Sequence, residues 1–191
     1  MLRVMSMPTE TATEPVLRVA TRDDAAEIDA LMKASIRAIF PAYYDERQTA
    51  SCVIHVGHVD TMLLDDGTYF ALEAGREIVA CGGWSRRDKL FSGESAQEGR
   101  TRTLDPETEA AHVRAMFVRG DWTRRGLGTR ILDACRDAAR AEGFRRLDLL
   151  ATLPGARLYE HYGFVPGEPT TITLPDGVAV ACIPMEMAIM D

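Results

Sequence analysis

The stretch "RGDWTRRGLGTRIL", residues 119–132, sets two arginines directly before two glycines spaced by one residue, at what reads as the mouth of a helix. A helix N-terminus exposes unpaired N–H groups and the positive end of the dipole, and glycine lets an anion approach that backbone closely. Arg124 and Arg125 add guanidinium donors, so a phosphate or diphosphate is the natural ligand. A dinucleotide fingerprint would need a third glycine, but Gly126-Leu127-Gly128-Thr129-Arg130-Ile131 ends in isoleucine. Nor does the chain contain the Lys-Ser/Thr ending of a nucleotide-triphosphate loop. The residues alone leave open an anion site or a tight strand-to-helix turn.

Those residues need elements to position them. "VLRVAT" (16–21) has strand character, and Thr21 with Asp24 three residues on makes a capping-box start for a helix. Ile28, Leu31, Met32, Ser35, Ile36 and Ile39 then recur at helical steps until Pro41. Residues 45–64 predict one or two short helices broken near Gly57. "TYFALEA" (68–74) and "EIVACGGWS" (77–85) predict an antiparallel hairpin, and "HVRAMFVR" (112–119) a strand leading into the glycine stretch. The following helix carries its apolar stripe on Leu127, Ile131, Cys135, Ala138 and Ala139 and stops at Gly143. "FRRLDLLAT" (144–152) is a further strand, followed by a short helix ending at Gly163. Strand, helix, strand in that order implies locally parallel pairing. A last hairpin turns at Pro175-Asp176-Gly177. Residues 86–111 are polar and aperiodic, and predict a long loop of the kind that borders binding sites.

Composition narrows the function classes. The 191 residues, 46% of them hydrophobic, suffice for one domain, taken as 16–191 behind a loose tail at 1–15. With 22 Lys+Arg against 29 Asp+Glu the net charge is −7, which disfavours nucleic acid as a partner. Cys52, Cys81, Cys135 and Cys182 show no metal-ligand spacing, so no metal is expected and buried free thiols are. No apolar run is long enough for a membrane span, and the N-terminus lacks a signal peptide's apolar stretch, so a soluble cytoplasmic protein is expected.

Two motifs in order carry a resemblance. Thr123-Arg124-Arg125-Gly126-Leu127-Gly128 resembles the Gln/Arg-x-x-Gly-x-Gly/Ala signature of the GCN5-related N-acetyltransferases (GNAT), with Thr123 departing at the first position. "LYEHYGF" (158–164) matches the family's tyrosine four residues before a Gly-Phe pair, through Tyr159, Gly163 and Phe164. The resemblance implies an α/β fold: a mixed central sheet of about six or seven strands flanked by helices, its fourth and fifth strands splayed around acyl-CoA. It implies acetyl-CoA as cosubstrate, its pyrophosphate on Arg124, Arg125, Gly126, Leu127, Gly128 and Thr129. Its pantetheine arm and thioester carbonyl would lie along Met116, Phe117 and Val118. Tyr159 would protonate the departing thiolate, with Tyr162 one turn away as the residue to distinguish from it.

His112 is the candidate base. It lies eleven residues before Thr123, where histone acetyltransferases of this superfamily place a glutamate and arylalkylamine N-acetyltransferases the first His of a His-x-His pair; here Arg114 replaces the second. An imidazole there accepts the amine proton directly or through water. Glu73 and Asp148 are weaker candidates, while His55 and His58 have no partner visible in sequence. Trp84 and the 86–111 loop are expected to border the acceptor pocket, and the acidic chain suggests cationic amines. The implied activity is acetyl transfer to an amine of a small molecule or peptide by direct attack, and a homodimer is allowed. A catalytically silent acyl-CoA-binding sensor or interaction module on the same fold is the alternative, against which Tyr159 and His112 together argue.

Overall fold

The computed structural model describes residues 14–88 and 102–189. The expected tail and the middle of the expected 86–111 loop, residues 1–13 and 89–101, lie outside the described residues. The chain forms one eight-stranded sheet in the order β1-β2-β3-β4-β5-β8-β6, with β7 also paired to β8. Its strands are β1 (Val16–Val19), β2 (Tyr69–Ala74), β3 (Glu77–Ser85), β4 (Ala111–Val118), β5 (Arg146–Thr152), β6 (Val165–Pro166), β7 (Thr170–Thr173) and β8 (Ala179–Ala188). The strand beyond the expected six or seven is the two-residue β6, too short to leave a period in the sequence.

Helices α1 (Ala25–Ile39), α2 (Glu46–His55) and α3 (Thr61–Asp65) come before the β2–β3 hairpin; α4 (Leu127–Ala141) and α5 (Leu153–Tyr162) flank β5. The start of α1 is built on Asp24, whose carboxylate accepts the Thr21 backbone N–H at 2.7 Å. Asp45 caps α2 by accepting the Gln48 N–H at 2.7 Å. Gly143 (φ +92°) and Gly163 (φ +119°) close α4 and α5 in the left-handed region.

Alternation along the strands sorts side chains to two faces. Leu72, Val113, Leu147 and Leu149 pack with Leu127, Ile131, Ala156 and Tyr159 of α4 and α5. Tyr69, Ala71 and Cys81 pack with Ile28, Leu31 and Met32 of α1 on the other face. Phe40, Cys52, Leu174, Val180 and Cys182 make a third cluster on that second side. The four cysteines are buried and free. Trp84 is a core residue, edge-on to Phe144 at 5.9 Å, and does not border the cavity that opens beside β4. The ends of the 86–111 segment are anchored: Arg87 bridges Thr103, and Leu104 N–H donates to the Arg86 carbonyl at 2.8 Å. Among the described residues no helix is long and apolar enough to cross a membrane.

Candidate active site

β4 is where the sheet stops being regular. It pairs with β5 in parallel only through Ala111↔Leu147 and His112↔Asp148, after which the two strands part. Against β3 its register slips between Cys81 and Gly83, and Ala115 takes a positive φ of 51°. An extra residue in one strand flips the side chains beyond it to opposite faces. Val113 faces α4 before the bulge; Met116 and Val118 face it afterwards, while Ala115 and Phe117 face α1. The bulge is braced from behind by the buried Tyr69, whose hydroxyl donates to the Ala115 carbonyl at 2.6 Å. Gly82 makes room for it, since a Cβ there would stand 2.7 Å from Met116 Cγ; Gly83 makes room on the other side, where a Cβ would stand 2.5 Å from the Thr68 carbonyl.

The gap opens into a cavity of about 910 Å³. The glycine loop forms one end. Arg124 (φ +63°) and Gly126 (φ +77°) both turn left-handed, aiming the backbone into α4, whose first internal bond runs from Arg130 N–H to the Gly126 carbonyl at 3.1 Å. The N–H groups of Leu127, Gly128 and Thr129 therefore have no acceptor within the helix. The two glycines serve different purposes. A Cβ at Gly126 would meet nothing within 4 Å, so conformation selects that residue; one at Gly128 would stand 2.7 Å from Leu158 Cδ2, so close packing of α4 on α5 selects the other. Arg124 borders the cavity, as do Thr123, Gly126, Leu127, Gly128 and Thr129. Arg125 does not: its guanidinium stacks over the Trp122 ring at 4.5 Å and donates to the Asp121 carbonyl at 3.2 Å.

Tyr159 closes the cavity from α5 and is 9% exposed. The Tyr-to-Gly-Phe spacing has a physical reason: the Tyr159 carbonyl accepts the N–H of both Gly163, at 3.1 Å, and Phe164, at 2.9 Å. That helix end puts the Phe164 ring edge-on against Tyr159, centroids 5.8 Å apart. Burial pushes the Tyr159 phenol above its ordinary range, so it is protonated at neutral pH. Tyr162 is engaged elsewhere, donating to Asp133 at 2.8 Å and accepting from Arg136 at 3.1 Å.

His112 lies where β4 and β5 are still paired, its Nδ1 against Asp148 Oδ1. With Nδ1–H donated to the carboxylate, Nε2 carries the lone pair. The ring is buried and is not part of the cavity wall. Glu73 is far from the cavity, bound to Arg18 at 2.7 Å. The histidines without visible partners have them in space: His58 Nδ1 is 3.2 Å from Asp29, and His55 Nε2 is 3.5 Å from Asp176 in the β7–β8 turn.

Sequence reasoning missed the far wall, which Ser35, Ile39, Phe40, His55, Val56 and Ile172 form on the α1 side. Arg114 also borders it, buried and paired with Asp60 at 3.2 Å, and burial lowers its affinity for the proton. Cys52 and Cys182 border it as well; burial pushes these thiols to about 11 and about 12, so neither is a thiolate nucleophile. Among the described residues bordering the cavity none is Asp or Glu.

The family model "Acetyltransferase (GNAT) family" matches residues 28–164. The chain belongs to the GNAT acetyltransferase family. A GCN5-related N-acetyltransferase from Rhodopseudomonas palustris superposes on this GNAT chain with a TM-score of 0.70 at 20% identity, covering 94% of this chain and 99% of that one. The PaiA N-acetyltransferase of Thermoplasma acidophilum, solved with coenzyme A, gives 0.64 at 10% identity over 92% and 99%. YncA of Salmonella typhimurium, solved with acetyl-CoA, gives 0.60 at 16% identity over 94% and 96%. A search of curated proteins returns no sequence match.

Proposed function

We propose that this GNAT protein transfers an acetyl group from acetyl-CoA to an amine by direct attack in a ternary complex. The observation that carries the reading is a coincidence of place: the gap between β4 and β5, the free N–H groups of α4 and the Tyr159 hydroxyl-bearing face of α5 all open on one cavity. A silent sensor needs the first two but not a protonated phenol beside the gap.

The cosubstrate supplies the activated acyl group; the residues hold and polarise it. The N–H groups of Leu127, Gly128 and Thr129, with Arg124, take the pyrophosphate. The edge of β4 along Met116, Phe117 and Val118, unpaired on its β5 side, pairs with the amide groups of the pantetheine arm and donates an N–H to the carbonyl oxygen as charge develops there. Tyr159 gives its proton to the leaving sulfur. His112 takes the amine proton through water at Nε2, since its ring stands behind the cavity wall, and Asp148 holds the tautomer. Arg125 acts at one remove by stacking on Trp122 and stiffening the loop.

Isothermal titration and free-thiol release test this together. Coenzyme A should bind with an affinity that falls when Gly126 is given a bulky side chain or Arg124 is neutralised, and thiol should appear only when an amine is added. Indifference of binding to both changes removes the cofactor site; binding without amine-dependent thiol release leaves a sensor.

A further inference from the structure

The cavity continues through the sheet to the α1 side, where an acceptor would sit, and that half has a definite chemistry. Its wall is apolar where α1, α2 and β7 meet: Ile39, Phe40, Val56, Ile172 and Leu174 line it. Among the described residues its ionisable side chains are Arg114, His55, Tyr43, Cys52 and Cys182, none of them a carboxylate. Carboxylates stand behind Arg114 and His55. Asp60 pairs with Arg114 at 3.2 Å. Asp176 stands 3.5 Å from His55 while accepting Ser51 Oγ at 2.7 Å and the Val178 N–H at 3.2 Å.

A polyamine entering this half would bring a second ammonium that loses its water and meets guanidinium, imidazole and hydrocarbon instead of a counter-ion, which is strongly unfavourable. An alkyl or aryl body gains from the same wall by leaving water. Resting on the acyl-transfer reading, we infer that the acceptor is a monoamine with an apolar alkyl or aryl body lodged against the α1–α2–β7 wall, and that polycationic amines are excluded. Among the described residues the wall itself carries none of the protein's surface acidity.

The test is a matched pair of amines. Pentylamine and 1,5-diaminopentane differ by one terminal ammonium, and 2-phenylethylamine adds an aryl body of similar reach. With the full chain and saturating acetyl-CoA, kcat/KM for pentylamine and 2-phenylethylamine should exceed that for the diamine by about tenfold or more. Ile172→Asp, on the partly buried face of an edge strand, should collapse the ratio while leaving coenzyme A affinity unchanged; Val56→Asp carries the same test if the first variant does not fold. An equal or reversed preference, or a ratio that neither folded variant moves, overturns the inference. Calorimetric titration of the same amines into the coenzyme A complex separates the two claims. The same ordering in binding without any thiol release would leave the wall assignment standing and sink the acyl-transfer reading.

Discussion

Tyr159 and Gly128 meet through one helix, and their predicted failures differ. Tyr159→Phe keeps the edge-on packing on Phe164 and removes only the hydroxyl, so kcat should fall about a hundredfold with coenzyme A affinity intact. Steady-state kinetics beside calorimetry would check it, and unchanged kcat with chemistry rate-limiting would reassign the acid. Gly128→Ala pushes a methyl into Leu158, 2.7 Å away, and should cost about 1–3 kcal/mol in denaturant unfolding. If packing is the reason for that glycine, Leu158→Ala should restore part of the loss in the double variant. The glycine spacing was legible in the sequence; that the missing side chain of its second member makes room for α5 was not, because the partner lies 30 residues downstream on another helix. His112 was legible as a strand-start imidazole, whereas its burial against Asp148 comes from a parallel register that no local pattern encodes. His112→Ala should lower kcat with coenzyme A affinity intact. An unchanged kcat with chemistry rate-limiting would move the proton to water or another group.

At the scale of elements, β4 is a strand arranged to fail at a chosen point. Tyr69 and the Gly82-Gly83 pair hold the failure in place from the neighbouring strands. Tyr69→Phe strips the bulge carbonyl of its buried donor and should cost about 1–3 kcal/mol of stability. Its functional signature should be a raised KM for acetyl-CoA, since on the proposed reading the loosened edge pairs with the pantetheine arm. The helices and long strands were readable because their periods and caps are local: the 3.6-residue stripe of α1, the Thr21-Asp24 start, the turn at 175–177. A doubled glycine inside an apolar strand was the unread signal, for such residues mark bulges and close backbone approach. The far wall had no comparable signal. It joins α1 and α2 to β7 and the β7–β8 turn, as when Ser51 bonds Asp176 across 125 positions.

For the molecule as a whole, charge works in small clusters. Arg18 of β1 holds Asp24 through two bonds, at 2.7 and 2.8 Å, and Glu73 of β2 at 2.7 Å, tying the first strand to the start of α1. The bond from Arg18 depresses the Asp24 carboxyl to about 2. A carboxyl whose folded pKa is lowered contributes stability that is complete above its unfolded value and fades as pH falls through the folded one, so the loss here belongs between about pH 4 and pH 2. Asp24→Asn should flatten that part of an acid-unfolding curve and cost about 0.5–1 kcal/mol at neutral pH, the pair being partly exposed and screened. An acid limb of unchanged slope would show that other carboxylates dominate it.

The stitching of α2 to the last hairpin has a consequence for how such a protein diverges. Gln48 donates to the Ala179 carbonyl at 2.8 Å, Tyr44 to the Ala181 carbonyl at 2.8 Å, and Ser51 to Asp176. The match to the family model ends at residue 164, and β7 begins only at Thr170. On the proposed reading the residues that handle the donor lie within that match, while β7 and the turn after it complete a wall begun by α1 and α2. Substitutions along 170–182 would then reshape the guest's side of the cavity and leave the donor's residues untouched.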